Sequence, residues 1–395
     1  MYSYFLKCSI VFPPQININV FNPPPGCYAN TTNINSECMN IIYEQKNKID
    51  KYSNSKYWDI YKKLTNPYEF ISITERERRQ LINEFPYMNN ICSIAEYEPL
   101  SRSFFKMIEM IYDFTPIIKS AEYMPKLKSV HLAEGPGGFI EAVRHIRRNI
   151  GIDDIHYGMT LKDTRKEIPG WSRSLQFLKN NPQVKIITGA DETGNLYNTA
   201  NIDYLVSRCG ENSAYLITGD GGFDFSVDYN RQEQSAAKLI FAQILAALKC
   251  QSIGGVFICK FFDINKLITV EMLYLLQCFY TDIIIHKPNT SRYANSEKYI
   301  ICRGYKYIIN KLYWEQLKIV LDIWNKCELN NIFSNIPSDF INYINNINNE
   351  IVSMQIKYIN DTINIIEQPP NPDYIKKNIT NQMNIAKIWC AKYGF

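Results

Sequence analysis

The order of apolar and polar positions divides the chain into a patterned centre and two different flanks. From Val130 onward, short β-rich runs alternate with longer segments whose apolar residues recur at helical spacing. Seven strands are predicted, from the runs SVHLA, IHYGMTL, VKIITG, AYLITGD, GVFICKFF, DIIIH and EKYIICRGY. Helices are predicted over Phe139 to Asn149 and Asn230 to Lys249. This alternation predicts an α/β fold with a seven-stranded, mostly parallel sheet and helices on both of its faces.

The flanks lack this alternation. Residues 1–95 are polar and interrupted by Pro and Asn, and a charged, helical stretch is predicted from Glu44 through Glu84. After residue 308 the chain is rich in Asn and Ile at helical spacing and has no glycine before Gly394. We therefore predict an N-terminal extension over residues 1–95, a central domain over 96–308 and a helical C-terminal region over 309–395.

Composition excludes some classes of protein and leaves others open. The net charge of +4 permits a local basic surface and a polyanionic partner. The eleven cysteines are scattered without a CxxC pair, so neither a zinc site nor a disulfide framework is predicted. Without an apolar run of 18 residues, a membrane span is not expected, and the N-terminus lacks the features of a signal peptide. We predict a cytoplasmic protein.

A glycine-rich turn lies between the first predicted strand of the centre and the first helix, in the stretch HLAEGPGGFIEA from His131 to Ala142. Small residues here let the backbone approach a cofactor, and the helix N-terminus offers free N–H groups. A dinucleotide site requires GxGxxG, and the third glycine is missing. A tight turn without any ligand is the alternative.

Polar residues at the ends of the later strands favour a ligand, since ligands of open parallel sheets bind there. Asp191 follows the third strand, and Asp220 follows the fourth and precedes two glycines. Lys260 lies in the apolar fifth strand, and Glu297 opens the last. A buried lysine needs a partner or a role. Alternatively, Lys260 lies on an edge strand and faces water, and Glu297 pairs with Lys298 or Arg292.

Taken together, these segments resemble the FtsJ-like (RrmJ-type) 2'-O-ribose methyltransferases, especially the cap-type members of eukaryotes and large cytoplasmic DNA viruses. The resemblance covers roughly residues 100–305 and rests on the segments SRSFFK, EGPGGF, DETGN, GDGGFDF, YNRQEQ, GGVFICK and KPNTSRYANSEKY. It implies a Rossmann-like fold that binds S-adenosylmethionine. It also implies a catalytic Lys-Asp-Lys-Glu tetrad, which falls here on Lys106, Asp220, Lys260 and Glu297.

The same resemblance implies the remaining site residues. The cofactor contacts fall on Glu134, Gly135, Gly137, Gly138, Phe139, Asp191 and Asp220, and the substrate contacts on Ser291 and Arg292. Asp220 is expected beside the transferable methyl group and Asp191 at the adenine. Thr160 and Glu134 depart from the residues common in relatives, an acidic residue and a smaller one respectively.

The expected chemistry gives the tetrad distinct roles. A ribose 2'-OH is a poor nucleophile at neutral pH, so a lysine must lose its proton to act as general base. We predict Lys260 as that base, with a pKa lowered by burial and by the neighbouring ammonium of Lys106. Without the family pattern, Lys106 has the spacing of a lysine on a solvent-facing helix. Neither a metal nor a histidine is required.

Basic residues are predicted near the mouth of the cleft, where they could meet phosphates. They are Arg144, His145, Arg147, Arg148, Lys162, Arg165, Lys166 and Arg173. For the first four, a solvated helix face is an equal explanation. The predicted function is S-adenosylmethionine-dependent 2'-O-methylation of the cap-proximal nucleotide of mRNA, with RNA and the capping or transcription machinery as partners. The alternatives are methylation of ribosomal or transfer RNA, and a non-catalytic RNA-binding or polymerase-associated subunit.

Overall fold

The computed structural model describes residues 2–6, 13–21, 32–53, 56–88, 90–163, 170–222, 229–334, 336–368 and 371–395. The strands are β1 (Tyr2–Leu6), β2 (Ile16–Phe21), β3 (Lys128–Leu132), β4 (Ile155–Met159), β5 (Val184–Ile186), β6 (Ala214–Gly219), β7 (Gln251–Phe261), β8 (Tyr280–Lys287), β9 (Lys298–Tyr305) and β10 (Glu328–Phe333). The α-helices are α1 (Ser36–Ser53), α2 (Lys56–Tyr61), α3 (Glu75–Glu84), α4 (Ser103–Phe114), α5 (Gly138–Arg147), α6 (Leu175–Asn180), α7 (Thr199–Cys209), α8 (Gln232–Cys250), α9 (Leu267–Phe279), α10 (Lys311–Trp324), α11 (Ser338–Glu367) and α12 (Pro372–Tyr393).

The main sheet contains all seven predicted strands. Its order is β1-β8-β9-β7-β6-β3-β4-β5. Strands β5, β4, β3, β6 and β7 are parallel, whereas β9, β8 and β1 are added in antiparallel pairings. The prediction of a mostly parallel α/β sheet is therefore confirmed. Strand β3 lies between β4 and β6, so the chain leaves it in opposite directions and a crevice forms at the carboxyl ends of these strands.

Three details of the prediction are wrong. The sheet has eight strands, because the N-terminal run YSYFL forms β1 and pairs with the edge strand β8. The C-terminal region is not only helical, since β10 pairs with β2 from the N-terminal flank in a second, two-stranded sheet. The helical stretch predicted from Glu44 to Glu84 is divided among α1, α2 and α3. In each case a partner distant in sequence decides the local structure.

The flanks pack against each other and against the sheet. Helix α1 contacts α11, and α12 contacts residues 69–71. One apolar cluster combines α1 and α11 with Trp58, and it contains Cys38, Ile42, Ile49, Trp58, Val352, Ile359 and Ile363. The division into segments 1–95, 96–308 and 309–395 stays a prediction. Within the described ranges, no helix is long and apolar enough to cross a membrane.

Helix α4 holds the segment that precedes β9. Glu109 of α4 is fully buried and its carboxylate accepts hydrogen bonds from the backbone N–H groups of Asn289 and Thr290, at 2.7 and 3.3 Å. Burial raises the pKa of Glu109 from 4.5 to about 7, although these two N–H donors favour the ionised form. The segment that leads to Glu297 is thereby anchored on the helix that carries Lys106.

Two of the arginines predicted near the cleft mouth are structural instead. Arg147 is fully buried on α5 and donates to both carboxylate oxygens of Asp154, at 2.6 and 2.8 Å. It also donates to the carbonyl oxygens of Ile118 and Met124. Arg144 is buried beside it and donates to the carbonyl of Gly151. Neither side chain is available to a phosphate. The predicted Arg165 and Lys166 lie outside the described residues.

We predict that replacing Arg147 with Met destabilises the protein by about 3 kcal/mol, because the buried Asp154 loses its two hydrogen bonds from this guanidinium and keeps only the more distant guanidinium of Arg144, at 3.8 Å. Chemical denaturation of the purified variant measures this loss. The matched control is Arg148→Met, one position further along at an exposed site, which should change stability by no more than about 0.5 kcal/mol. Equal effects of the two substitutions would contradict the assignment.

We also predict that Glu109→Gln removes a pH dependence of stability. Because the pKa of Glu109 is raised in the folded protein, the stability that its protonated form contributes is present below about pH 4.5 and is lost as pH rises through about 7. Relative to wild type, the variant should therefore gain about 3 kcal/mol between pH 5 and pH 8. Denaturation midpoints across this range test the gain. The exposed Glu122→Gln serves as control, and a parallel pH curve for Glu109→Gln would refute the prediction.

Candidate active site

Four charged side chains that are far apart in the sequence converge at the carboxyl ends of β6 and β7. Asp220 directly follows β6, Lys260 lies near the end of β7, Glu297 precedes β9, and Lys106 lies on α4. The ammonium nitrogen of Lys106 is 2.6 Å from Glu297 Oε1, and that of Lys260 is 3.2 Å from Asp220 Oδ1. The structure thus forms two neighbouring ion pairs from the four residues predicted as the tetrad.

Sheet register explains why these pairs meet. Strand β7 lies between β6 and β9, so Lys260 is not on an edge strand. Its register partner on β9 is Tyr299, whose hydroxyl donates to Asp220 Oδ1 at 3.0 Å. Lys260 also donates to the backbone carbonyl of Asp220 at 2.7 Å. Asp220 is therefore fixed from two strands. Glu297 pairs with Lys106, rather than with Lys298 or Arg292.

The charges of the tetrad shift its protonation equilibria. Burial raises the pKa of Glu297, but Lys106 and Lys260 outweigh this effect and lower it to about 2. Burial lowers the pKa of Lys260, but the carboxylates of Asp220 and Glu297 outweigh it, so the pKa of Lys260 is raised. The predicted lowering of the Lys260 pKa is therefore wrong for the protein alone. The carboxylates of Asp220 and Glu297 decide the direction.

The glycines of the turn allow close packing of the backbone. Gly137 is the N-cap residue that precedes α5, and its left-handed φ of 108° disfavours residues with a Cβ. A Cβ on Gly138 would lie 2.3 Å from Ser103 Oγ, so this glycine admits the start of α4. Glu134 is buried, and its carboxylate accepts hydrogen bonds from the backbone N–H groups of Phe139 and Ile140. It therefore caps α5.

The other residues predicted to hold the cofactor lie in different surroundings. Phe139 is fully buried and its ring packs against that of Tyr299, with centroids 5.8 Å apart. Asp191 lies on the exposed loop after β5 and accepts hydrogen bonds from Thr193, Asn198 and Asn201. These bonds lower its pKa. Of the predicted set, Gly135 and Asp220 line the main cleft beside the tetrad.

The two residues predicted to bind the substrate have partners within the protein. Ser291 donates to Glu297 Oε1 at 2.8 Å, which orients the carboxylate that pairs with Lys106. Arg292 lines the cleft, but its guanidinium donates to both oxygens of the buried Glu69 and to Glu77. These carboxylates raise the pKa of Arg292 further, against the effect of burial.

Sequence reasoning missed two residues that support the tetrad. Tyr299 lies on β9, two positions after Glu297, a spacing at which side chains along an extended chain point to the same side. Lys287 is buried at the end of β8 and donates to the backbone carbonyls of Asn295 and Glu297, at 2.8 and 2.7 Å. Burial lowers the pKa of Lys287 strongly. The period-two pattern could have indicated Tyr299, but only the tertiary structure shows the role of Lys287.

The tetrad opens into a cleft of about 670 Å³. Asp220, Lys260 and Glu297 line it together with residues of both flanks, namely Lys46, Ile49, Trp58, Lys62, Thr65, Asn66 and Gln355. Part of the GDGGFDF motif, residues 223–225, lies outside the described residues. Among the described residues, no group of three or more His, Cys, Asp or Glu is arranged to hold a metal ion.

The chain is similar in sequence to proteins named as cap-specific mRNA methyltransferases. The chain is 32% identical over 208 residues to a protein of Drosophila melanogaster named cap-specific mRNA (nucleoside-2'-O-)-methyltransferase 2, covering 51% of this chain and 29% of the relative. It is 36% identical over 172 residues to cap-specific mRNA (nucleoside-2'-O-)-methyltransferase 1 of Trypanosoma cruzi, covering 43% and 46%. The chain thus spans less than half of the length of these relatives.

Two further matches are a relative named as inactive and a solved structure. A Caenorhabditis briggsae protein named inactive cap-specific mRNA (nucleoside-2'-O-)-methyltransferase 1B is 31% identical over 228 residues, covering 55% of this chain and 26% of the relative. A solved structure from Plasmodium falciparum, titled as a putative ribosomal RNA methyltransferase, covers 52% of this chain and 97% of its own, with a TM-score of 0.37 and 16% identity.

The family itself is shown by a match that covers more than half of the chain. The pattern of the family described as FtsJ-like methyltransferase matches residues 99–305, which span the glycine turn, all four tetrad residues and strands β3 to β9. Methyltransferases of this family depend on S-adenosylmethionine. The resemblance read from the sequence is therefore confirmed, and the chain belongs to the FtsJ-like methyltransferase family.

Proposed function

We propose that this protein transfers a methyl group from S-adenosylmethionine to a ribose 2'-hydroxyl of RNA, at the cap-proximal nucleotide of mRNA. The observation that carries the proposal is that Asp220, Lys260 and Glu297 line one cleft, where Lys106 is ion-paired with Glu297. The names of the relatives from Drosophila melanogaster and Trypanosoma cruzi support the mRNA cap as substrate.

The residues at the glycine turn fit the cofactor. Gly135 and Asp220 line the cleft, so backbone and carboxylate are both accessible there. A carboxylate suits the positive charge of a sulfonium, and Asp220 already balances the ammonium of Lys260. A Cβ on Gly222 would lie 3.1 Å from Lys260 Nζ, so this glycine also keeps the tetrad open. We assign Gly135, Gly137 and Asp220 to the cofactor near its reacting end, and Asp191 to its adenine.

S-adenosylmethionine, when bound, supplies an electrophilic methyl group on a positively charged sulfur. The protein has to hold the ribose oxygen in line and accept its proton. We assign Lys260 Nζ as the acceptor of the ribose 2'-hydroxyl proton. It can accept this proton only after its ammonium group has lost a proton to solvent. Glu297, held by Ser291 and Lys106, orients the amines. Asp220, held by Tyr299, fixes the position of Lys260.

Two alternative functions differ from this one, the first in its RNA substrate and the second in the absence of catalysis. Methylation of ribosomal or transfer RNA would use the same tetrad, and only the substrate distinguishes it. A non-catalytic subunit is a real class among the relatives, since one of them is named inactive. The intact tetrad with both ion pairs argues against that class here. Association with the capping machinery and a cytoplasmic location are part of the same proposal.

We predict that Lys260→Ala and Lys260→Arg both lower kcat for methyl transfer to capped RNA by about 10²- to 10⁴-fold, the usual contribution of a general base. Arginine keeps the positive charge beside Asp220 but does not lose its proton near neutral pH. Radiolabelled methyl transfer, followed by identification of the methylated nucleoside, measures the effect. Lys179→Ala, at an exposed position of α6, should keep full activity.

The outcomes distinguish the candidate functions. Activity on capped but not uncapped RNA supports the mRNA cap, and activity on structured ribosomal or transfer RNA supports the alternative. An active Lys260→Arg variant would remove Lys260 as the base. RNA binding by wild type without any methyl transfer would identify a non-catalytic subunit.

We also predict a pH dependence that follows from the raised pKa of Lys260. The base must be unprotonated, so kcat/KM should rise with pH across the neutral and mildly alkaline range. Because Glu297 helps to raise this pKa, Glu297→Gln should shift the rising limb to lower pH, although the maximal rate is also reduced. Glu315→Gln on α10 is the control with an unchanged profile. A limb that stays in place or moves to higher pH would count against Lys260 as the titrating group.

A further inference from the structure

The flanks outside the family match form one side of the cleft. Lys46 and Ile49 come from α1, Trp58 from α2, Lys62 to Asn66 from the turn after it, and Gln355 from α11. The tetrad forms the other side. We call the surface made by Trp58, Lys62, Thr65 and Asn66 the flank wall. A pocket of this volume is in the range that encloses a small ligand, so both sides contact what binds in it.

The flank wall is held rigidly. Trp58 is buried in the apolar cluster shared by α1 and α11. Lys62 directly follows α2, four residues after Trp58. Its backbone N–H donates to the carbonyl of Trp58 at 3.1 Å, so the two residues lie on the same side of the helical turn. The hydroxyl of Thr65 contacts that of Thr362 on α11 at 2.8 Å. Contacts from both flanks therefore hold the backbone at Lys62 in position.

The cations that line the cleft differ in how firmly they are paired. Lys46 is paired with the buried Asp263 at 2.5 Å, Lys260 with Asp220, and Arg292 with the buried Glu69. Lys62 is paired with Asp59, a neighbour three residues earlier on the same helix whose side chain is 67% exposed. The Lys62 side chain itself is 20% exposed, but its carboxylate partner is screened by solvent and is replaced more easily than the buried partners Asp263 and Glu69. Lys62 is thus the lining cation that a phosphate can most easily recruit.

Asn66 adds a polar group to the same wall. It is 2% exposed, and its Nδ2 donates to Glu69 Oε2 at 2.6 Å, which fixes the amide orientation. Its Oδ1 is buried and has no hydrogen-bond partner among the described residues. A buried acceptor without a donor is costly, and a hydroxyl or amino group of a bound nucleoside would satisfy it.

We infer that the flank wall binds the RNA nucleotide that adjoins the methylated ribose, and that Lys62 contacts its phosphate. The inference rests on the proposed function and extends it, because it assigns substrate binding to the N-terminal flank. Lys62 acts on RNA binding and has no part in proton transfer. Its loss should therefore raise KM for RNA and leave the cofactor and the chemical step unaffected.

The experiment compares Lys62→Ala and Lys62→Arg with wild type and with Lys51→Ala, an exposed lysine in the last turn of α1. Methyl transfer to a short capped RNA is measured at several salt concentrations. For Lys62→Ala we expect KM for RNA to rise about tenfold, and the slope of log affinity against log salt to fall by about 1. Lys62→Arg should restore most of the affinity. We expect kcat and KM for S-adenosylmethionine to stay within about twofold for all variants.

A parallel binding measurement separates this inference from the proposed function. Fluorescence anisotropy with the same labelled RNA reports binding whether or not methyl transfer occurs. If wild type binds RNA but transfers no methyl group, the proposed function fails, and weaker binding by Lys62→Ala still supports the flank wall. If Lys62→Ala matches wild type in RNA affinity and salt slope, the assignment of Lys62 is overturned. Thermal denaturation of each variant confirms that it is folded.

Discussion

The pairing of the Lys260 ammonium with Asp220 is the interaction on which the site depends. A charge near the centre of a sheet is tolerated only if another charge and hydrogen bonds compensate its burial. Asp220 provides both its carboxylate and its backbone carbonyl, and Tyr299 from the next strand holds the carboxylate in place. Asp220 lies at the end of β6 and Tyr299 lies on β9, on either side of β7. The order of these strands therefore determines the geometry of the site.

A second layer of buried charges carries this constraint outward. The Glu109 carboxylate accepts hydrogen bonds from the backbone of Asn289 and Thr290, in the segment between β8 and β9. Lys287 holds the other end of this segment by donating to the carbonyl of Glu297. Arg292, from the same segment, pairs with Glu69 of the N-terminal flank. Each of these contacts joins parts of the chain that lie far apart in sequence. The segment between β8 and β9 is therefore positioned from α4, from β8 and from the flank at once, which explains how Glu297 reaches Lys106.

The flanks are part of the cleft. They pack on each other through α1 and α11, and their residues face the tetrad across the cavity. The family match covers residues 99–305 and therefore includes neither flank. The tetrad residues lie within the family match, whereas the residues of the flank wall lie outside it. Members of both groups line one pocket.

The sequence by itself predicted the seven central strands and the glycine turn, because strand periodicity and turn residues are local properties of the chain, and the family resemblance named the four residues that the structure brings together in two ion pairs. It could not determine β1 or the pairing of β10 with β2, since those strands are stabilised by distant partners. The direction of the Lys260 pKa shift also required the tertiary structure. Burial alone lowers the pKa of a lysine, and only the three-dimensional placement of Asp220 and Glu297 shows that two carboxylates reverse that effect. The structural role of Arg147 and the flank wall beside the tetrad were likewise decided by packing, which no local pattern records.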